Sequence, residues 1–377
     1  MSDRDDKYAG NAAASETAAA PELDYRPPRV AGEPPKIGLI ACGGITESHL
    51  SAYRDAGYQV VGMTDLIRER AEGRRDTFFP DATVYDDHHA LLAEPSIKVV
   101  DIATHPKERA ALIRDALKAG RHVLSQKPFV VDLAVGRELA ELADERGVRL
   151  AVNQNGRWAP HVSYMRQAVA GGLIGDVTSI SVNIALNHNW THDTPFNDIP
   201  HLMIYDFAIH WFDMVNCYMT GRPARRVFAT VRHLQGQVSR PPLGASVVIE
   251  FDDAIATLHF DGNARVGLCD RTVIVGTRGT LSSQGPDLSH QTVTLTTGQG
   301  QATPDLEGAW FPQGFDGSMS ELLTAIEQDR TPSNHARHNL DSLAMAFAAM
   351  ASTDSGQPVD VGSVTQMRDA WLSYDHG

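Results

Sequence analysis

The fold is decided by the stretch Ile37-Gly38-Leu39-Ile40-Ala41-Cys42-Gly43-Gly44-Ile45-Thr46, in which an apolar strand turns into a helix through two glycines. Glycines at such a turn let the backbone approach a pyrophosphate, and the N–H groups of the first helical turn then face its charge. Aligned on the dinucleotide-binding pattern G-x-G-x-x-G, the stretch reads Ala41, Gly43 and Thr46, so only the middle glycine is present. The motif alone is weak, because a structural glycine turn explains it nearly as well.

A carboxylate follows at the position where a dinucleotide-binding unit needs one. Asp65 ends the next apolar run and stands 22 residues after Gly43, where it would accept hydrogen bonds from the adenosine ribose hydroxyls. The same carboxylate repels a 2′-phosphate, so NAD is the favoured cofactor and NADP the second candidate; Arg68, one turn away, weakens this preference. The alternative interpretation of Asp65 is a helix N-cap, since a helical pattern follows it.

The pattern of the chain changes once beyond this unit. From residue 36 to about 155, apolar strands alternate with helical patterns of ten or more residues, which indicates βαβ units in a parallel sheet. Later, long β-type runs separated by tight turns indicate a mostly antiparallel sheet with helices on one face, including one helix over 205–219. We therefore predict an α/β protein: an N-terminal Rossmann doubly wound parallel sheet, then a C-terminal α+β domain with a large, open, mostly antiparallel sheet.

Composition excludes several classes of partner. A formal net charge of −14 over 377 residues argues against nucleic acid and against an anionic membrane surface, both of which attract basic faces. Three scattered cysteines, the lack of a long apolar run and the lack of a signal-peptide pattern predict a cytoplasmic protein. The predicted units are a disordered or loosely docked arm over 1–35, an NAD(P)-binding domain over 36–155, and a domain for substrate binding and oligomerisation over 156–377.

Three polar residues outside the glycine turn carry the expected chemistry. Lys127 follows a strand in Leu124-Ser125-Gln126-Lys127-Pro128-Phe129, and the i, i+4 spacing of Asp206 and His210 would place both on one helix face. His210 would be the general base that takes a hydroxyl proton, since imidazole titrates near working pH. Lys127 would bind the reacting oxygen, and Asp206 would orient substrate or imidazole. The alternatives are a solvated charge at a Lys-Pro turn and an amphipathic helix with a satisfied Asp–His pair.

In their order along the chain, these motifs resemble the Gfo/Idh/MocA oxidoreductases, the glucose–fructose oxidoreductase and inositol dehydrogenase family. The resemblance runs from about Lys36 to Gly362. Further landmarks are Asp101-Ile102-Ala103-Thr104, Gly172-Leu173-Ile174-Gly175-Asp176-Val177 and Gly314-Phe315-Asp316-Gly317-Ser318-Met319. The resemblance implies a Rossmann domain, hydride transfer with NAD, and a homodimer or homotetramer that forms through the C-terminal sheet. The sequence departs from the family at Gln126, where glutamate is usual, and at Thr104-His105-Pro106, where Thr-Pro-Asn is usual.

The motifs and the resemblance together give the predicted site. The predicted catalytic residues are Lys127, Asp206 and His210. Cofactor contacts are predicted from Cys42, Gly43, Gly44, Ile45, Asp65, Thr104, His105, Gln126 and Lys127. Substrate contacts are predicted from Asn155, Arg157, Trp158, His188, Trp190, Asp206 and His210. No metal site is predicted.

The leading hypothesis is an NAD-dependent oxidoreductase acting on a ring hydroxyl of a sugar, glycoside or cyclitol, which is a small carbohydrate-like substrate. Within the same fold, tightly bound and recycled NAD could instead serve to cleave a glycoside. A metal-dependent hydrolase or isomerase using His188, His192, Asp206 and His210 would leave the dinucleotide unit unexplained. A non-catalytic NAD-binding regulator would leave the three catalytic candidates without a role.

Overall fold

The computed structural model describes residues 16–374, so the predicted arm is described only from residue 16 onward. The strands are β1 Lys36–Ile40, β2 Val60–Thr64, β3 Thr83–Val84, β4 Ile97–Ile102, β5 His122–Ser125, β6 Leu150–Val152, β7 Val177–Ala185, β8 Arg226–Arg232, β9 Gly244–Glu250, β10 Ile255–Asp261, β11 Cys269–Gly276, β12 Gly279–Gly285, β13 Thr292–Thr297, β14 Gly300–Ala302 and β15 Val359–Asp360. The helices are α1 Thr46–Asp55, α2 Arg68–Phe78, α3 His88–Ala93, α4 Pro106–Lys118, α5 Leu133–Glu145, α6 Pro160–Ala170, α7 Ile209–Tyr218, α8 Gln313–Glu327, α9 Ala336–Ser355 and α10 Asp369–Leu372. Short 3₁₀ turns lie at Asn155–Trp158, Asn189–Asp193 and Pro195–Asp198, and a wider helical turn lies at Leu202–Phe207.

The first sheet is parallel and doubly wound, as predicted. Its strand order is β3-β2-β1-β4-β5-β6, and every neighbouring pair is parallel. β4 is almost wholly buried, because helices cover both faces of the sheet. The strand order reverses between β1 and β4, and the carboxyl ends of parallel strands at such a reversal form a crevice that binds ligands.

The second sheet is open and mostly antiparallel, which confirms the predicted fold class. Its order is β14-β13-β12-β11-β7-β10-β9-β8-β15, and the β7–β10 pair is parallel while the other pairs are antiparallel. Along β10, Ala256, Leu258 and Phe260 are buried and the residues between them are exposed until the strand ends. One face therefore packs on helices and the other is left uncovered.

The longest helix of the described chain, α9, was missed by the sequence analysis. Its segment 344–351 reads Ala-Met-Ala-Phe-Ala-Ala-Met-Ala and is buried throughout, so the helix lacks the apolar stripe by which a half-exposed helix is recognised. No helix in residues 16–374 is both long and apolar enough to cross a membrane.

The described part of the arm is docked on the two domains. Arg29 donates to both carboxylate oxygens of Asp316 in α8, at 2.6 and 2.7 Å, and to the hydroxyl of Tyr58 at 3.0 Å. Tyr25 is buried, and its hydroxyl accepts the backbone N–H of Glu307 at 3.0 Å. The arm therefore connects the parallel-sheet domain to α8 through specific hydrogen bonds.

Residues 16–18 of the arm also pair with β14, the outermost strand at one edge of the open sheet. The N–H of Ala18 donates to the carbonyl of Gln301 in β14 at 2.8 Å, and the N–H of Gln301 donates to the carbonyl of Glu16 at 2.8 Å. Thr17 and Gln301 form a parallel bridge. The outer side of β14 is thus occupied by the chain itself.

Candidate active site and dinucleotide cleft

The glycine loop after β1 keeps its turn despite the two departures from the pattern. Ala41 has a φ of 69°, a left-handed conformation that glycine adopts without strain but that costs a residue with a β-carbon about 1–2 kcal/mol. A β-carbon added at Gly43 or at Gly44 would meet no atom within 4 Å, so the backbone there is open. The hydroxyl of Thr46 donates to the carbonyl of Gly43 at 2.6 Å and closes the loop.

Asp65 binds the loop directly. Its Oδ2 accepts the N–H of Cys42 at 2.6 Å and its Oδ1 accepts the N–H of Ile67 at 2.8 Å. Burial raises the pKa of the Cys42 thiol to about 12, so the thiol stays protonated and Cys42 contributes its backbone. Arg74 in α2, which the sequence analysis missed, donates to the carbonyls of Gly43 and Gly44 at 3.3 and 3.4 Å. No local motif marks Arg74, because it reaches the loop through the packing of α2 on α1.

A cavity of about 1030 Å³ extends from this loop along the strand ends. Gly43, Asp65, Thr104, His105 and Tyr205 are among the residues that line it, whereas Lys127 and His210 do not. Its lining carries more acidic than basic side chains. The acidic ones are Asp65, Asp86, Asp87, Glu108, Asp115 and Asp198, and the basic ones are Arg70 and Lys107. The open backbone at Gly43 and Gly44 and the carboxylate of Asp65 fit an adenine dinucleotide. The acidic lining of the cavity disfavours the additional 2′-phosphate of NADP.

Lys127 lies at the carboxyl end of β5 and is paired with Asp206. Its Nζ donates to the backbone carbonyl of Asp206 at 2.8 Å and lies 3.2 Å from the carboxylate Oδ1. The Lys127 side chain is 16% exposed and that of Asp206 is 22% exposed. The pair is therefore largely buried, and each side chain keeps a small exposed area.

The α-helix predicted over 205–219 is not continuous, which corrects its predicted bounds. Asp206 lies in the wide turn Leu202–Phe207, where the N–H of Ala208 donates to the carbonyl of Met203 five residues back, and His210 lies in α7. Asp206 also pairs with Lys127. Such wide turns inside helices occur frequently at functional sites.

His210 is held in its neutral form. Burial, and then the positive charge of Lys127, lower the pKa of His210 well below its usual value. Its Nδ1 is buried without a hydrogen-bond partner, and its ring meets Trp310 edge-on with the centroids 5.3 Å apart. His210 is therefore a neutral imidazole that can accept a proton, and the positive charge of Lys127 contributes to its lowered pKa.

Gln126 is buried rather than open to the cavity. Its amide oxygen accepts the backbone N–H of Lys127 at 2.6 Å, and its amide nitrogen lies 3.1 Å from Nε2 of His49. The side chain of Gln126 is thus hydrogen-bonded to the backbone of Lys127. Its contact with the cofactor stays a prediction.

Arg109 in α4 is a buried cation that the sequence analysis missed. Its guanidinium donates to the carbonyls of Gln126 at 2.5 Å and of Phe129 at 3.5 Å, and also to those of Pro128 and Thr104. Burial lowers its pKa to about 10, so it remains charged at neutral pH. Nothing in the local pattern of α4 distinguishes Arg109 from a surface arginine, because its partners come from two other strand ends.

The segment 155–158 lies beneath α8. Arg157 is buried and forms a bidentate pair with Asp213, at 2.5 and 2.6 Å. Trp158 is also buried, and Asn155 accepts the indole N–H of Trp310 at 2.9 Å. The guanidinium of Arg157 thus has an internal partner, and the predicted substrate contacts of this segment stay predictions.

The irregular segment after β7 borders the catalytic cluster. The ring of His188 packs on Phe207 with the centroids 4.1 Å apart and lies near Trp190, whose side chain is 57% exposed. Burial lowers the pKa of His188 to about 4, so this imidazole is also neutral at pH 7. The segment offers an exposed aromatic surface beside neutral hydrogen-bonding groups.

Within residues 16–374, one group brings metal-ligand atoms together: His88, His89 and Asp115, whose atoms lie within 4.8 Å of one another. Nε2 of His88 is 3.2 Å from the carboxylate of Asp115, which makes an ordinary ion pair when the imidazole is protonated. The residues His188, His192, Asp206 and His210 form no such group in this part of the chain. The geometry therefore does not favour the metal-dependent hydrolase.

The site thus combines the Lys127–Asp206 pair with the neutral imidazole of His210, and Tyr205, which precedes Asp206 in the sequence, lines the cavity. Such a set can hold a hydroxyl oxygen and accept its proton, which is the work that oxidation of an alcohol by hydride loss requires of the protein.

Comparison with known proteins agrees with this geometry. Residues 35–154 match the model of an oxidoreductase family with an NAD-binding Rossmann fold, and residues 162–282 match the GFO/IDH/MocA C-terminal domain. A D-apiose dehydrogenase from Paraburkholderia graminis is 25% identical over 372 aligned residues, covering 91% of this chain and 94% of that protein.

Solved structures share the fold. An oxidoreductase from Agrobacterium radiobacter in complex with NAD+, L-tartaric acid and magnesium superposes with a TM-score of 0.78 at 21% identity, covering 88% of this chain and 99% of that one. A scyllo-inositol dehydrogenase from Lactobacillus casei with bound NAD(H) and scyllo-inositol gives a TM-score of 0.74 at 20% identity, covering 87% and 99%. Since both halves of the fold match in order, this chain belongs to the Gfo/Idh/MocA family of NAD-binding oxidoreductases.

Proposed function

We propose that this oxidoreductase transfers a hydride between NAD and a ring CH–OH of a sugar, glycoside or cyclitol. The observation that carries the proposal is the Lys127–Asp206 pair beside a neutral His210, next to the cleft. Bound NAD would supply the hydride acceptor. The loop at Gly43 would lie against its pyrophosphate, with Asp65 at its ribose.

The protein's own groups divide the remaining work. His210, neutral because it is buried, would accept the hydroxyl proton of the substrate. Lys127 would donate a hydrogen bond to the same oxygen and stabilise the negative charge that develops on it. Asp206 would hold the ammonium group in place through its carboxylate and its backbone carbonyl.

A polyhydroxylated neutral substrate suits the surroundings of this cluster. His188 and His210 are neutral at pH 7, and the exposed indole of Trp190 can stack on the apolar face of a sugar ring. The D-apiose and scyllo-inositol dehydrogenases act on substrates of this kind by name, which supports dehydrogenation rather than glycoside cleavage.

The open face of the nine-stranded sheet supports a homodimer or homotetramer. Phe228, Ile255 and Val275 are exposed on strands whose other face is buried. An uncovered apolar sheet face of this kind marks an interaction surface. Ile255→Arg should lower the molar mass measured by light scattering, whereas an unchanged mass would count against this interface.

The test of the activity is formation of reduced nicotinamide with NAD, and separately with NADP, across pentoses, hexoses, inositols and aryl glycosides. We expect one substrate class to react, with NAD preferred, and Lys127→Ala to lower kcat at least about a hundredfold. A full rate in Lys127→Ala would refute the role given to the lysine. Release of an aglycone without net reduction of NAD would instead establish glycoside cleavage.

A further inference from the structure

A chain of buried hydrogen bonds leads from β4 to the backbone of Lys127. The carboxylate Oδ2 of Asp101 lies 2.7 Å from Nδ1 of His49, and Nε2 of His49 lies 3.1 Å from the amide nitrogen of Gln126. The amide oxygen of Gln126 then accepts the N–H of Lys127 at 2.6 Å. Asp101 and His49 have no exposed surface, and Gln126 is 5% exposed. The chain is therefore isolated from solvent.

Donor and acceptor chemistry gives the chain one direction. The carboxylate of Asp101 accepts the hydroxyl of Tyr53 at 2.7 Å and, as an acceptor, also takes the Nδ1–H of His49. Nε2 of His49 is then left with a lone pair, which faces the amide nitrogens of Gln126 and of Asn153, the latter at 3.3 Å. A carboxylate at position 126 would set a second acceptor against that lone pair.

We propose that Asp101 fixes the tautomer of His49, and that His49 thereby positions Gln126 and the backbone from which Lys127 projects. Because Nε2 of His49 is an acceptor in this tautomer, the side chain at position 126 must offer a donor, which an amide does and a carboxylate does not. The proposal rests on the proposed function, because Lys127 is the group being positioned. Asp101 and His49 are fully buried and do not line the cavity, so we assign them a positioning role.

The groups that face His49 define what its protonation depends on. Asp101 approaches from β4, Gln126 from β5 and Tyr53 from α1 itself, while Phe315 of α8 packs on the ring with the centroids 4.7 Å apart. Among residues 16–374, Asp101 is the carboxylate that bonds to this imidazole. A second carboxylate at position 126 would therefore bring in a second negative charge, which only a second proton on the ring can bridge.

The experiment first replaces the amide at position 126 by a carboxylate and then replaces the carboxylate of Asp101 by an amide, which exchanges donors and acceptors on the two sides of His49. In Gln126→Glu, His49 can bridge the two carboxylates only with a second proton on its ring, so kcat should fall at least about tenfold, and the ratio of wild-type to variant kcat should rise further as the pH is raised and that proton is lost. In the double variant Asp101→Asn with Gln126→Glu, the new amide can rotate to donate to Nδ1. Nε2–H can then donate to the new carboxylate, so kcat should recover to within about threefold of wild type with no added pH dependence.

The readout independent of activity is the ¹⁵N NMR spectrum of histidine-labelled protein, with His49 assigned by comparison with His49→Gln. We expect one proton on Nδ1 in the wild type, two protons in Gln126→Glu, and one proton on Nε2 in the double variant. Tyr53→Phe is the matched control: it removes a buried bond to Asp101 and should lower Tm without changing the tautomer.

Two results would overturn the proposal: a wild-type His49 that is protonated on Nε2, or a double variant no more active than Gln126→Glu. The wild-type result depends only on the assignment variant His49→Gln, so the failure of Gln126→Glu or of the double variant to fold does not remove the test. Full activity of Lys127→Ala would refute the proposed function and leave the tautomer of His49 unaffected, so the two failures are distinguishable.

Discussion

The dinucleotide loop and the lysine end of β5 lie at the same edge of one sheet and are built in opposite ways. At Gly43 and Gly44 the space beside the backbone is open, and a large cavity begins there. Around Lys127 the backbone is bound on both sides, since Gln126 accepts its N–H and Arg109 takes the carbonyls of its neighbours. The fold leaves backbone open where a ligand must lie along it, and immobilises backbone where one side chain must be aimed.

Loss of the proton acceptor should give the largest effect, and only at the lysine end. His210→Asn should lower kcat about 10²–10⁴-fold, because the variant lacks a general base, while the Kd for NAD stays within about twofold. Steady-state kinetics measure kcat, and titration calorimetry measures the Kd for NAD. A Kd that rises in proportion to the loss of kcat would erase the distinction between the two regions.

Removal of the Asp65 carboxylate, which is proposed to bind the ribose, should weaken cofactor binding and change kcat little, the reverse of the effect at His210. Asp65→Ala should weaken NAD binding about tenfold and narrow the preference for NAD over NADP, because it removes one hydrogen bond to the glycine loop at Cys42, one to Ile67, and a negative charge in the cleft. The kcat at saturating NAD should change little. Glu72→Ala, which removes a carboxylate paired with Arg68, is the control and should leave both cofactors' affinities unchanged.

The pH dependence of kcat/KM sharpens the contrast between the two regions, because burial lowers the pKa of His210, the proposed base at the lysine end. The lowered pKa of His210 keeps its base form populated below pH 6.5, and this form is lost only as the pH falls further. An unperturbed imidazole would be about three-quarters protonated at pH 6, so we expect kcat/KM to fall less than about twofold between pH 8 and pH 6. A midpoint near pH 6.5 would contradict the assignment of His210 as the base.

The smallest effect should come from the loop's own strain. Ala41→Gly should stabilise the protein by about 0.5–1 kcal/mol, since relief of the left-handed conformation exceeds the added entropy of the unfolded chain. Ala119→Gly is the matched control: Ala119 has a φ of −77° at the end of α4 and should only lose stability. Urea denaturation measures both, and equal changes would show that Ala41 is not strained.

The parallel half of the fold could be predicted because its signals are local. The strands β1, β2 and β4 are apolar runs and glycines follow the ends of α4 and α5, whereas the short β3 and α3 carry no such signal and were not predicted. The position of Asp65 follows from the loop that it binds. The positions of Lys127 and His210 could be predicted from short motifs for the same reason.

The remainder depends on contacts between distant segments. The wide turn at 202–207 has no sequence signature, so the pairing of Asp206 with Lys127 could not be foreseen from an i, i+4 spacing. Arg109 reads as one more charge on α4, and only the meeting of two strand ends gives it four carbonyl partners. The buried helix α9 carries no stripe to mark its face.

The pairing of residues 16–18 with β14 has a consequence for how copies of this chain can meet. A strand with a free hydrogen-bonding side is a template on which another sheet can grow without limit. Here one outermost strand is covered by the chain's own arm, and the other, β15, spans two residues. Addition of further strands along the hydrogen-bonding direction is thus hindered at both edges of the described sheet.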